Sequence, residues 1–173
     1  LYKYNCDFKR LTNDGNSLIH FASTNDNSNV LEYVLSKLFF KDIDKKNVAG
    51  ETALFKALNF SESTDNIKQL VAAGANLSDI TNDNSTMLHA AAYNKFDERM
   101  VKLLVEELNF EDVDAKNDNG NTALHIAAIR NNIPTFKYLT LLGLNPRELN
   151  YDGKSPLDLL SLENKGPMDE FIK

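Results

Sequence analysis

Three histidines, one cysteine and a surplus of carboxylates are the side chains that could do chemistry. His20, His89 and His125 each stand three residues after a Ser or Thr (Ser17, Thr86, Thr122). Histidine can ligate zinc or relay a proton, and a hydroxyl nearby suggests a nucleophile with its base. The repetition of the spacing argues otherwise. All three occupy one slot of a repeated unit, and packed helical units lie roughly 10 Å apart. Side chains that far apart cannot share a metal whose bonds are about 2 Å. Each histidine is therefore read as fixing its own turn by hydrogen bonding. Cys6 is the only cysteine, so no internal disulfide forms, and nothing around it suggests a lowered thiol pKa.

The carboxylates are read as solvated surface: Glu106-Glu107, Glu111-Asp112, and Asp42 with Asp44 fall at helix ends and loops. Asn117-Asp118-Asn119-Gly120-Asn121 resembles a calcium loop only superficially, since unit two fills the same slot with Val48-Ala49-Gly50. Asn59-Phe60-Ser61, Asn76-Leu77-Ser78 and Asn84-Ser85-Thr86 match the glycosylation sequon, as chance allows in a chain with 22 asparagines. No phosphate loop or glycine-rich nucleotide fingerprint is present, so no cofactor is expected.

The elements that position these residues emerge from self-similarity. Five markers recur at Gly15, Gly50, Asn84, Gly120 and Gly153, separated by 35, 34, 36 and 33 residues. Glycine suits a turn with positive φ, and asparagine is next best. Two residues later come Ser17, Thr52, Thr86, Thr122 and Ser155, each able to cap a helix. Pro156 follows its cap, where proline is tolerated. Five residues after the caps, Ala22, Ala57, Ala91 and Ala127 allow close helix approach, a rule that Leu160 breaks.

A second helix follows, with apolar residues at helical spacing. They are Val30, Leu31, Val34, Leu35 and Leu38 in unit one, Ile67, Leu70 and Val71 in unit two, and Met100, Val101, Leu103, Leu104 and Leu108 in unit three. Unit four contributes Phe136, Leu139 and Leu142. Pro134 and Pro167 are expected in first helical turns, and Gly74 and Gly143 at helix ends. Phe8, Ile43, Leu77, Val113 and Pro146 mark a short extended segment entering each turn.

The pattern resembles the ankyrin repeat, a β-turn followed by two antiparallel helices. Gly120-Asn121-Thr122-Ala123-Leu124-His125-Ile126-Ala127-Ala128 and Ala73-Gly74-Ala75-Asn76-Leu77 carry the resemblance, and Thr86 to His89 repeats its Thr-x-x-His signature. The fold implied is all-α: a solenoid of stacked helix-turn-helix units with short β-turn or hairpin loops. One domain covers 1–173, with units at 12–46, 47–80, 81–116, 117–149 and an incomplete 150–173, and with 1–11 as the tail of a preceding or capping unit. An excerpt from a longer array or protein is expected. Phe55 and Asp158 replace the family's histidine and Asn84 its glycine, so weak interfaces are expected where the pattern lapses.

The resemblance implies a non-catalytic protein-binding module that uses its concave helix face and turn tips. Candidate contact residues are Phe60, Tyr93, Asn94, Ile129, Arg130 and Tyr151 across the stack, with Asp83 and Asp118 at the tips. Interface energy concentrates in Tyr and Arg. Phe60 and Ile129 admit a second reading, as packing between units. Net charge is −6 and pI about 5.1, which argues against nucleic acid and for a partner protein with a basic or mixed-charge surface. No stretch approaches the roughly 20 apolar residues of a membrane span, and Leu1-Tyr2-Lys3-Tyr4 opens no signal core. An intracellular site, cytoplasmic or nuclear, is expected. Two other functions stay open: an inhibitor of a Rel/NF-kappaB-type transcription factor, suggested by Asp14 to His20 and Gly153 to Leu157, and the substrate-holding part of a larger enzyme or pathogen effector.

Overall fold

The computed structural model describes residues 10–37 and 43–172. The readings on Cys6, Phe8, Leu38 and Asp42 lie outside these residues. Five turn-and-cap signals start five inner helices, each followed by an outer one. The inner helices are α1 (Leu18–Ser23), α3 (Ala53–Phe60), α5 (Met87–Tyr93), α7 (Ala123–Ile129) and α9 (Pro156–Leu159). The outer helices are α2 (Ser28–Lys37), α4 (Thr64–Ala72), α6 (Arg99–Lys102), α8 (Ile133–Leu141) and α10 (Leu162–Phe171). No strand forms among the described residues. Consecutive inner helices pack on one another, so the stack is a helical solenoid as expected.

Each local signal acts as its chemistry requires. Ser17, Thr52, Thr86, Thr122 and Ser155 are the N-caps of the inner helices. Ala57, Ala91 and Ala127 are fully buried at the helix contacts. Replacing Ala127 by Leu should overpack the α7 contact and cost about 2 kcal/mol. Urea denaturation checks it, and an unchanged midpoint would contradict the packing.

The turns hold one another in register. The Val48 N–H donates to Asp14 O at 2.9 Å, Asn82 to Ala49 at 3.1 Å, Asp118 to Asp83 at 2.9 Å and Tyr151 to Asn119 at 3.1 Å. Asparagine serves this ladder. Asn47 Oδ1 accepts from the Ala49 and Glu51 N–H groups, and its Nδ2 donates across the interface to Asn16 Oδ1 at 2.9 Å. Asn150 reaches Asn121 Oδ1 at 2.8 Å in the same way.

The histidines do more than fix their own turns. In each, Nδ1 accepts from the cap hydroxyl and N–H of its own unit. Nε2 then donates to a carbonyl of the next unit: His20 to Glu51 at 3.1 Å, His89 to Asn121 at 2.8 Å and His125 to Lys154 at 3.3 Å. Phe55 and Asp158 have no such donor, so the units two–three interface lacks this bond.

Burial pushes all three imidazoles below their ordinary pKa, against the raising effect of the carbonyl bonds. As pH falls through about 6.5, the unfolded chain takes up protons that the folded chain refuses, so stability drops. The urea midpoint should therefore be lower near pH 5.5 than near pH 7.5, either side of that value of about 6.5. His89→Gln should shrink the difference. Asp83 and Glu148 are also held low, but carboxylates act at lower pH, about 4 and below.

Three sequence expectations need correction, the first being the extended segment: Ile43, Leu77, Val113 and Pro146 each lie in a turn. Pro167 lies inside α10, not in its first turn. The helix starts earlier because Ser161 O accepts from the Asn164 and Lys165 N–H groups, while Ser161 Oγ donates to Asn131 Oδ1 of the preceding unit at 3.1 Å. The second helix of unit three is also not uniform. After α6 it widens into a π turn over Leu103–Glu107, with the Leu108 N–H on Leu103 O at 3.0 Å and the Phe110 N–H on Leu104 O at 2.9 Å. This is the longest of the four repeat steps, 36 residues from Asn84 to Gly120. The wider turn absorbs extra length while Leu103 and Leu104 stay buried.

Candidate functional site

The C-terminal ends of α3, α5 and α7 come side by side because their units are stacked in register. Phe60 and Tyr93 end their helices, as does Ile129, and Arg130 caps α7. The Phe60 and Tyr93 rings meet edge to face, with centroids 6.2 Å apart and planes at 76°. The Arg130 guanidinium carbon lies 4.2 Å from the Tyr93 centroid. Three units thus build one aromatic and cationic shelf. Phe60 and Ile129 remain 48% and 51% exposed, too much for residues whose whole role is packing between units.

The other candidates separate. Tyr151 is 73% exposed in the turn of unit five, and that unit contributes no side chain to the shelf. Asp83 and Asp118 are exposed at the tips. Partial burial opposes the charge on Asp83, but hydrogen bonds from the Thr81 and Ser85 hydroxyls and the Ser85 N–H together outweigh it and hold the carboxyl below its usual range. Asp118 Oδ1 accepts from Asn84 Nδ2 at 2.6 Å.

Asn94 is not a contact residue. It is 1% exposed. Its Nδ2 donates to Leu58 O and Ser61 O, both at 3.0 Å, and its Oδ1 accepts from the Phe96 N–H. An amide between two units satisfies carbonyls left free where α3 ends. Asn66 and Asn132 do the same elsewhere, donating to Ser23 O at 3.0 Å and Asn94 O at 2.7 Å.

Between shelf and tips runs a cleft of about 540 Å³, lined by Phe55, Asn59, Asp83, Ala90, Tyr93 and Ile126 among others. It exists because the position four after the cap is small in α5 (Ala90), whereas α3 has Lys56 and α7 has Ile126. The same position in α1 is Phe21, 54% exposed. Phe21, Ala90 and Ile126 escaped the sequence reading, although a comparison of that one slot across units would have found them. Both ring nitrogens of each histidine are engaged within the chain, and no group of three or more metal-type ligands gathers among the described residues. No described helix is long and apolar enough to cross a membrane.

A family model described as ankyrin repeats matches three overlapping stretches, residues 36–111, 58–150 and 88–166. The tyrosine-protein kinase Shark of Drosophila melanogaster is 29% identical over 157 residues, covering 90% of this chain and 16% of the kinase. The regulatory protein NPR4 of Arabidopsis thaliana is 31% identical over 118 residues, covering 68% of this chain and 19% of that protein. The putative ankyrin repeat protein L371 of Acanthamoeba polyphaga mimivirus is 24% identical over 210 residues, covering 99% of this chain and 27% of its own length. The chain spans between 16% and 27% of the length of these three relatives.

Proposed function

The chain belongs to the ankyrin-repeat family, and from that premise we propose that it is a non-catalytic module that grips a partner protein with its concave face and turn tips. Repeats of this family are generally protein-interaction modules. The observation that carries the reading here is the shelf of Phe60, Tyr93 and Arg130 on three successive units. Large aromatic and guanidinium groups left exposed beside a cleft are the side chains that supply most interface energy.

Replacing both Tyr93 and Arg130 by Ala should leave folding intact and weaken partner capture about thirtyfold, or about 2 kcal/mol. Affinity capture from the source lysate, with wild type and the double variant as baits, tests it. A partner held equally by both would move the contact to the turns or the outer face. The kinase named among the relatives supports a second reading, in which these repeats hold substrate for a catalytic domain in the same chain. A partner that is modified by the full-length protein, and no longer modified when the shelf is removed, would favour that reading.

A further inference from the structure

Arg130 differs from many of the chain's other cations. Lys56, Arg99, Lys102 and Lys116 each lie within 3.3 Å of a carboxylate. Arg130 makes no ion pair and no side-chain hydrogen bond among the described residues, and its guanidinium is stacked over Tyr93 instead. The cation–π contact holds the fork in place, and the guanidinium edge makes no hydrogen bond among the described residues. That edge matches a carboxylate, which it can take through two parallel bonds. The turn edge has the opposite character: Asp83 is held ionised, and Asp118 is exposed in the adjoining turn, its N–H on Asp83 O.

We infer that this face takes an extended, mixed-charge segment of the partner protein, with a carboxylate side chain on Arg130 and a basic side chain toward Asp83 and Asp118. The inference rests on the concave-face reading above. In an extended chain, neighbouring side chains point to opposite sides. Adjacent acidic and basic residues therefore serve the two edges at once. A residue two places from the acid returns to the same side about 7 Å away, where Phe60 or Ile129 offers an apolar contact. A uniformly acidic segment is opposed by the chain's net charge of −6, and so is a phosphorylated side chain with its second negative charge.

The test is a selection from a synthetic library of extended peptides, randomised over acidic, basic, apolar, neutral and phosphoserine residues, against the whole chain. The expected winners carry Asp or Glu beside Lys or Arg, with an apolar residue two places from the acid. Changing the acid to its amide should weaken binding about tenfold, the scale of a lost charge-assisted pair. Arg130→Glu, checked for folding by circular dichroism, should replace the acidic preference with a basic one, and Arg130→Lys should keep it in weaker form. Enrichment of phosphoserine, or an acidic preference that survives Arg130→Glu, would overturn the assignment. Failure to enrich any peptide would overturn the segment reading, while lysate capture by wild type and not by the Tyr93 and Arg130 double variant would still support protein binding at this face.

Discussion

Gly50→Ala should cost about 3 kcal/mol or more, whereas Gly153→Ala should cost about 1 kcal/mol. Both glycines sit at the same repeat position with positive φ, +81° and +70°. An alanine pays the left-handed penalty, about 1–2 kcal/mol, at either site. Of the two, only at Gly50 does the added methyl also meet a neighbour, 2.6 Å from the backbone Asn82 N and 2.5 Å from the side-chain Asn82 Oδ1. To relieve that, the turn of unit three must move and release the Asn82 N–H from Ala49 O. At Gly153 nothing lies within 4 Å. Urea midpoints of the two variants should differ by the cost of the contact, and equal losses would mean that the turns do not bear on one another.

Asn94→Ala should destabilise by about 3 kcal/mol without touching the binding surface. Two buried carbonyls, Leu58 O and Ser61 O, lose their donor together. Each unsatisfied group costs about 1–3 kcal/mol, partly offset if water enters. The neighbours Tyr93 and Arg130 should behave in the opposite way, lowering affinity and sparing the melting temperature. Measuring both properties for Asn94→Ala and for the Tyr93 and Arg130 double variant separates the two roles. A stable Asn94→Ala chain with weakened binding would return Asn94 to the contact surface.

The caps of the inner helices and Asn94 show where reading a sequence succeeds and fails. The caps, the positive-φ markers and the small residues at the helix contacts were all legible, because each acts within a few residues of itself and recurs in phase. The all-α solenoid follows from them, since a unit that cannot bury its apolar face alone must stack. The aromatic and cationic candidates were legible by residue type and helix position. Asn94 was misassigned for a definite reason. Asn66, Asn94 and Asn132 stand 16, 10 and 12 residues after their markers, because they hold different places in their units: inside α4, at the C-cap of α5 and at the N-cap of α8. No period marks them, and their carbonyl partners belong to the helices and loops of the preceding unit.

What the sequence determined by itself is therefore the unit: its turn, its caps, its two helices and their order. The tertiary structure alone decided what one unit does to the next. It joined Phe60, Tyr93 and Arg130 into one shelf, turned each histidine outward to a carbonyl about 30 residues away, and opened a cleft over Ala90 between two larger neighbours. These contacts depend on the rise and rotation between stacked units. Packing of whole helix faces sets those quantities, and no local pattern of residues encodes them.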